Sequence, residues 1–159
     1  MDTIFLGFVV FLFLLAIFDL WVGVSNDAVN FLNSAIGAKA ARFRTIIIIA
    51  AIGVFCGASM SNGMMDIARH GIFRPEQFYF YELMYVFLAV MVTDIVLLDI
   101  FNSLGMPTST TVSMVFELLG ASFALALVKL ASDTTGLTFA ELLNTEKALS
   151  VILGIFLSV

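Results

Sequence analysis

From Thr3 to Val22 the chain is an almost unbroken run of Leu, Ile, Phe and Val. Twenty such residues, wound as a helix at about 1.5 Å each, reach across the ~30 Å hydrocarbon core of a bilayer. In lipid every backbone polar group must be satisfied within the protein, so such a run restricts the fold to packed helices. The remaining composition agrees, since 62% of the 159 residues are apolar, 12% are charged and the mean hydropathy is +1.12. A cleaved secretory signal is a poor description of the run. Such a signal has a basic start and a small-residue cleavage site, whereas here the charge before the run is Asp2 and its end reads Phe18-Asp19-Leu20-Trp21.

Further apolar runs occupy Ile46 to Met65, Leu83 to Phe101 and about Thr108 to Leu130, and another begins at Ala148. The expected fold is therefore an all-α, polytopic membrane helix bundle with no soluble domain. The last run has twelve residues before Val159, about 18 Å of helix, which is too short to span. Residues 1–159 are accordingly read as a fragment truncated in its last helix, or as one half of something larger. The lone Cys56 rules out an intrachain disulfide or a cysteine-rich zinc cluster. Seven Lys and Arg with no basic patch argue against nucleic acid as a partner. Three of them, Lys39, Arg42 and Arg44, share one short loop, while Met1 to Val22 has none. The positive-inside rule then places this loop in the cytoplasm and the N-terminus outside, in a multi-pass protein of the cell membrane.

The segment after the first run is polar. Projected at about 100° per residue, Asn26, Asp27, Asn30, Asn33 and Ser34 fall within an arc of about 120°. Two readings stand, a solvated loop or surface helix and a helix that breaks inside the protein to line a polar cavity. A second stretch, Gly105-Met106-Pro107-Thr108-Ser109-Thr110-Thr111, favours the cavity. Gly105 can end one helix and Pro107 can begin the next. The hydroxyls and first-turn N–H groups at Thr108 to Thr111 make a candidate anion site, although a cap accounts for one of them.

These stretches resemble the inorganic phosphate transporter (PiT) family. Ser25-Asn26-Asp27-Ala28-Val29-Asn30 is similar to that family's A-N-D-V-A-N core, and Gly105 to Thr111 to its G-L-P-V-S-T-T motif. Between them Asp66 to Ile72 is similar to D-T-I-R-K-G-I. The resemblance implies the N-terminal one of two inverted repeats, with a broken helix and a helical hairpin around a phosphate and cation site. It further implies inorganic phosphate, the bilayer, the C-terminal repeat and a second subunit of a homodimer as partners. This sequence departs from the pattern at Asn33-Ser34, at Val112, where the family usually has His, and at Glu117, where it usually has a small residue.

The function expected is transport of inorganic phosphate by symport with Na⁺ or H⁺, with no other cofactor. Asn26, Asn30, Thr108, Ser109, Thr110 and Thr111 are the candidate substrate ligands. Asp27 and Glu117 are the candidates for coupling to a cation or proton, and Asp27 the candidate for holding Na⁺, because a bare carboxylate would repel the anion. Glu117 shares a helical face with Ser109 and Ser113. It has a second reading as the partner of a Lys or Arg in the other repeat. Asp94 and Asp99 lie about 140° apart on a helix and make poor partners for each other. Gly53, Gly57 and Ser61 form a small-residue face suited to packing on a neighbouring helix, and His70 reads as part of a loop charge cluster. A membrane-embedded enzyme acting on a phosphorylated lipid or sugar, or an anion-channel subunit, is the alternative. The enzyme reading lacks a base, nucleophile or carboxylate pair at workable spacing.

Overall fold

The computed structural model describes residues 3–62, 71–72, 74–106, 108–132, 136 and 138–157. The described residues are overwhelmingly helical. In chain order they form α1 (Thr3–Gly37), α2 (Phe43–Ser59), a 3-10 turn (Pro75–Gln77), α3 (Phe80–Leu104), α4 (Thr110–Ala131), the short α5 (Phe139–Leu142) and α6 (Thr145–Leu157). α1, α3 and α4 are long and apolar enough to cross a membrane, while α2 is a shorter apolar helix. This is the all-α membrane bundle that the hydropathy pattern predicts.

One expectation fails. α1 does not break after Val22 but continues through the whole polar stripe as a single helix of 35 residues, about 52 Å long. The reason is local. Asn26, Asp27 and Asn30 of the stripe find partners on the α3–α4 hairpin, so the backbone need not open to satisfy them. The tight break falls at Gly105 instead, which adopts φ 67°. There Met106 N–H bonds to Phe101 C=O at 3.0 Å, closing α3 with the 6→1 bond of a Schellman cap. Such a left-handed residue favours glycine, which has no Cβ to clash. Pro107, expected to start the next helix, lies outside the described residues, as do Asp66, Arg69 and His70.

α1 packs along α3 in parallel. The Phe5 and Phe80 rings meet edge to face at 6.0 Å, as do those of Phe8 and Tyr85, and further along Asn26 reaches Asn102. The register is thus steady along the pair, with each α1 residue beside one some 75 to 77 positions later. α4 runs back antiparallel to α3. At the open end of this hairpin the core gathers Ile72, Phe78, Val86, Leu118, Ala126 and Leu142. Two backbone bonds, Arg74 N–H to Leu142 C=O and Asn144 N–H to Ile72 C=O, tie the flanking segments across it. Among the described residues nothing lies within 4 Å of a Cβ built on Gly53 or Gly57, so that face of α2 is left open there.

Lys129 closes the same end. Its Nζ donates to Glu82 Oε2 and to Gln77 C=O, each at 2.8 Å, and lies over the rings of Phe78 and Tyr79. Glu82 also accepts from Tyr79 N–H at 2.7 Å, capping α3 from its third position.

Candidate functional site

The tip of the hairpin is held by α1. Asn26 is completely buried. Its Nδ2 donates to Asn102 Oδ1 at 2.9 Å, and its Oδ1 accepts from Thr108 N–H at 3.2 Å. One turn later Asn30 Nδ2 donates to Thr108 C=O at 3.0 Å. The two asparagines therefore clasp both backbone groups of Thr108, because i, i+4 side chains share a helix face. Asn102 completes the joint by donating to Val22 C=O at 3.3 Å.

Beside this clasp Thr110 Oγ1 lies 3.1 and 3.2 Å from the two carboxylate oxygens of Asp27 and donates to them. Ser109 is the N-cap of α4, its Oγ accepting from Val112 N–H at 3.4 Å. Thr111 is exposed at the start of the helix. The first-turn N–H groups of a helix have no intrahelical acceptor and carry the positive end of its dipole. The result is a helix N-terminus, flanked by hydroxyls and backed by one carboxylate, seated on a fixed polar joint.

The structure thus brings together Asn26, Asp27, Asn30, Thr108 and Thr110 of the predicted set, with Ser109 and Thr111 in the same turn. It assigns them unequal work. Asn26 spends both ends of its amide on the joint, and Thr108 contributes its backbone. Asn33 and Ser34 are exposed and stand outside the joint. Glu117 belongs elsewhere. Its Oε1 accepts from Ser113 Oγ at 2.8 Å, as the i, i+4 spacing predicts, but its neighbours beyond α4 are Asp94 and Asp19, not Asp27. Asp94 is buried and Asp99 exposed, so the two do not pair.

Two participants escape a reading by motif. Asn102 ends a long apolar run three residues before Gly105, and a lone amide there is a usable signal for a tertiary hydrogen bond. Asp19 interrupts the first run, and an acid inside a membrane segment is itself a signal of function. Among the described residues no group of three acids, histidines or cysteines is arranged to hold a metal ion.

The sequence model of the phosphate transporter family matches residues 23–159, which takes in the Asn and Asp stripe, the hairpin and its tip. A protein of Thermococcus kodakarensis that bears the name phosphate permease is 30% identical over 102 residues. That match covers 63% of this chain and 25% of the relative, so the chain spans about a quarter of the relative's length. No solved structure matches the chain. With a family match running through six-sevenths of its residues, the chain belongs to the phosphate transporter family.

Proposed function

We propose that the chain forms one repeat of a transporter that moves inorganic phosphate across the cell membrane by symport with Na⁺ or H⁺. The observation that carries this reading is the contact between Thr110 Oγ1 and both oxygens of Asp27 at the N-terminus of α4. Phosphate is too polar to enter hydrocarbon unless donors replace its water and its charge is balanced. The first turn of α4 offers N–H groups, and Thr110 and Thr111 offer hydroxyls. The Thr110 hydroxyl has one proton, however, and gives it to Asp27. A cation or proton taken up by Asp27 occupies those oxygens and frees the hydroxyl for an anion, while also cancelling the repulsion between carboxylate and phosphate. Cation and anion then bind better together than apart, which is the coupling a symporter requires. Asn26 and Asn30 act in this reading by fixing the tip, and the exposed Asn30 can turn its amide to the ligand.

The family membership and the name of the Thermococcus relative support phosphate as the substrate. A second, inverted repeat completes the cavity, supplied either by further sequence or by another copy in a homodimer. The basic loop of Lys39, Arg42 and Arg44 supports an N-terminus on the outer side. Transport is preferred to catalysis on a phosphorylated lipid or sugar because the chain's family is one of transporters.

The test is uptake of radiolabelled phosphate into proteoliposomes of the full-length protein, with Na⁺ and pH gradients imposed separately. Uptake driven by one of the two gradients is expected, and Asp27→Asn abolishes it. Gradient-driven uptake that survives in Asp27→Asn defeats the coupling role, and absence of uptake under both gradients defeats the symporter.

A further inference from the structure

Midway along the bundle, well away from the hairpin tip, three helices each contribute one acid to the same place. Asp19 comes from α1, eight residues and so about 12 Å before Asp27. Asp94 comes from α3 and Glu117 from α4. Asp94 stands between the other two, near enough to hydrogen-bond with each when a proton lies between the carboxyl groups. It is 8% exposed. Oδ1 of Asp19, Oδ1 of Asp94 and Oε2 of Glu117 are all buried and receive no hydrogen bond among the described residues. Among the described residues the charges that act on Glu117 are those of Asp94 and Asp19, with no cation among them. Among the described residues the other charged groups are engaged elsewhere or turned outward. Asp27 meets Thr110, Lys129 meets Glu82, and Asp99, Arg44, Glu146 and Lys147 are exposed.

We propose that Asp19, Asp94 and Glu117 form a proton-binding site, a chain of carboxyl groups sharing a proton in the centre of the bundle. Three carboxylates cannot all remain ionised side by side away from water, because each charge loses hydration and repels the next. A proton held between two of them converts a repelling pair into a hydrogen-bonded one, as in carboxyl dyads generally. A proton suits the site better than a metal ion, since the three oxygens are strung through Asp94 and do not converge as a cation's ligands would.

The site also has an entrance. A cavity of about 480 Å³ between α3 and α4 is lined by Thr93, Leu97, Ser113, Glu117 and Gly120. Glu117 therefore faces the cavity on one side and Asp94 on the other. A proton arriving at Glu117 makes it a neutral acid whose O–H donates to Asp94. Transfer to Asp94 leaves Glu117 ionised again, and a second transfer passes the proton to Asp19. Each step moves one proton between two carboxyl groups and consumes nothing else. Ser113 steadies Glu117 throughout by donating to its other oxygen.

The inference is independent of the substrate, and its test does not use transport. Infrared spectra of the purified full-length protein in lipid nanodiscs are recorded at neutral pH, in sodium buffer and in sodium-free buffer. A protonated-carboxyl C=O band is expected in both buffers, shifting on transfer to D₂O. Asp94→Asn should remove most of it, because the amide N–H groups donate to both neighbours and allow them to stay ionised. Glu117→Gln, which leaves the Asp19–Asp94 pair, should reduce the band without removing it. Absence of the band in the wild-type protein overturns the proposal, as does a band unchanged in both variants. Disappearance of the wild-type band on adding sodium also overturns it, since the site would then be one for a metal cation. These outcomes stand whether or not phosphate proves to be the substrate.

Discussion

Two groups of buried charge lie in the same bundle, and they are built on opposite rules. At the open end of the hairpin Lys129 has its charge met by Glu82, a carbonyl and two aromatic rings. Midway along, Asp19, Asp94 and Glu117 meet one another, with no cation beside them among the described residues. The first arrangement is complete without any outside species and serves to fasten the ends of α3 and α4. The second is incomplete as it stands, and an incomplete buried site is where an ion or proton enters. Burial of charge alone does not separate anchor from functional site. What separates them is whether the protein supplies the counter-charge.

The sharpest way to break this comparison is to remove the counter-charge at the anchor. Lys129→Met strands Glu82 and should destabilise the protein by about 3–5 kcal/mol in unfolding from detergent micelles, whereas the double variant with Glu82→Met should recover most of that loss. Equal losses in single and double variants would mean that Lys129 acts through packing. The neutral joint at the hairpin tip lies between the two extremes. Asn102→Leu leaves Asn26 Nδ2 without its acceptor and should cost about 1–3 kcal/mol, read by the same unfolding measurement.

The acid chain should respond with the opposite sign. Asp94→Asn keeps the shape and removes one of three repelling groups, so it should raise stability by on the order of 1 kcal/mol. A loss comparable with that of Lys129→Met would erase the distinction between the two clusters. The smallest effect belongs to Glu141, which is exposed and caps α5 by accepting from Thr138 N–H at 2.6 Å and from its hydroxyl at 2.8 Å. The backbone bond above all, with help from the hydroxyl and the charge of Arg74, holds its carboxyl below the ordinary 4.5. Its capping contribution is thus fully present above that ordinary value and is lost as pH falls through the lower folded value. The Thr138 amide resonance followed by NMR should titrate once, below 4.5.

Length and hydropathy were enough to read the helices from the sequence, because spanning segments answer to a single solvent. The clustering of Asn26, Asp27 and Asn30 on one face was equally legible, since helical periodicity alone determines it. Their effect on the backbone was not. A polar stripe beside a lipid-facing run is compatible with a break or with an intact helix that has partners elsewhere. Which one forms depends on Asn102 and Thr108, some 76 to 82 positions later. Glu117 illustrates the same limit. Its bond to Ser113 followed from spacing within α4, while its place beside Asp94 and Asp19 required the packing of three helices. Asp19 was visible as an acid in an apolar run, but its partners were not.

The clasp on Thr108 has a bearing on how such a tip can vary. Asn26 and Asn30 bind its amide and carbonyl, as a neighbouring β-strand would, and take no hold of its side chain. Tethering is therefore indifferent to the residue at this position, consistent with a valine there in the motif that the tip resembles. Side chains at the tip could be exchanged through evolution or by design while the loop stays docked at the same height on α1. Position and side-chain chemistry are written in separate atoms.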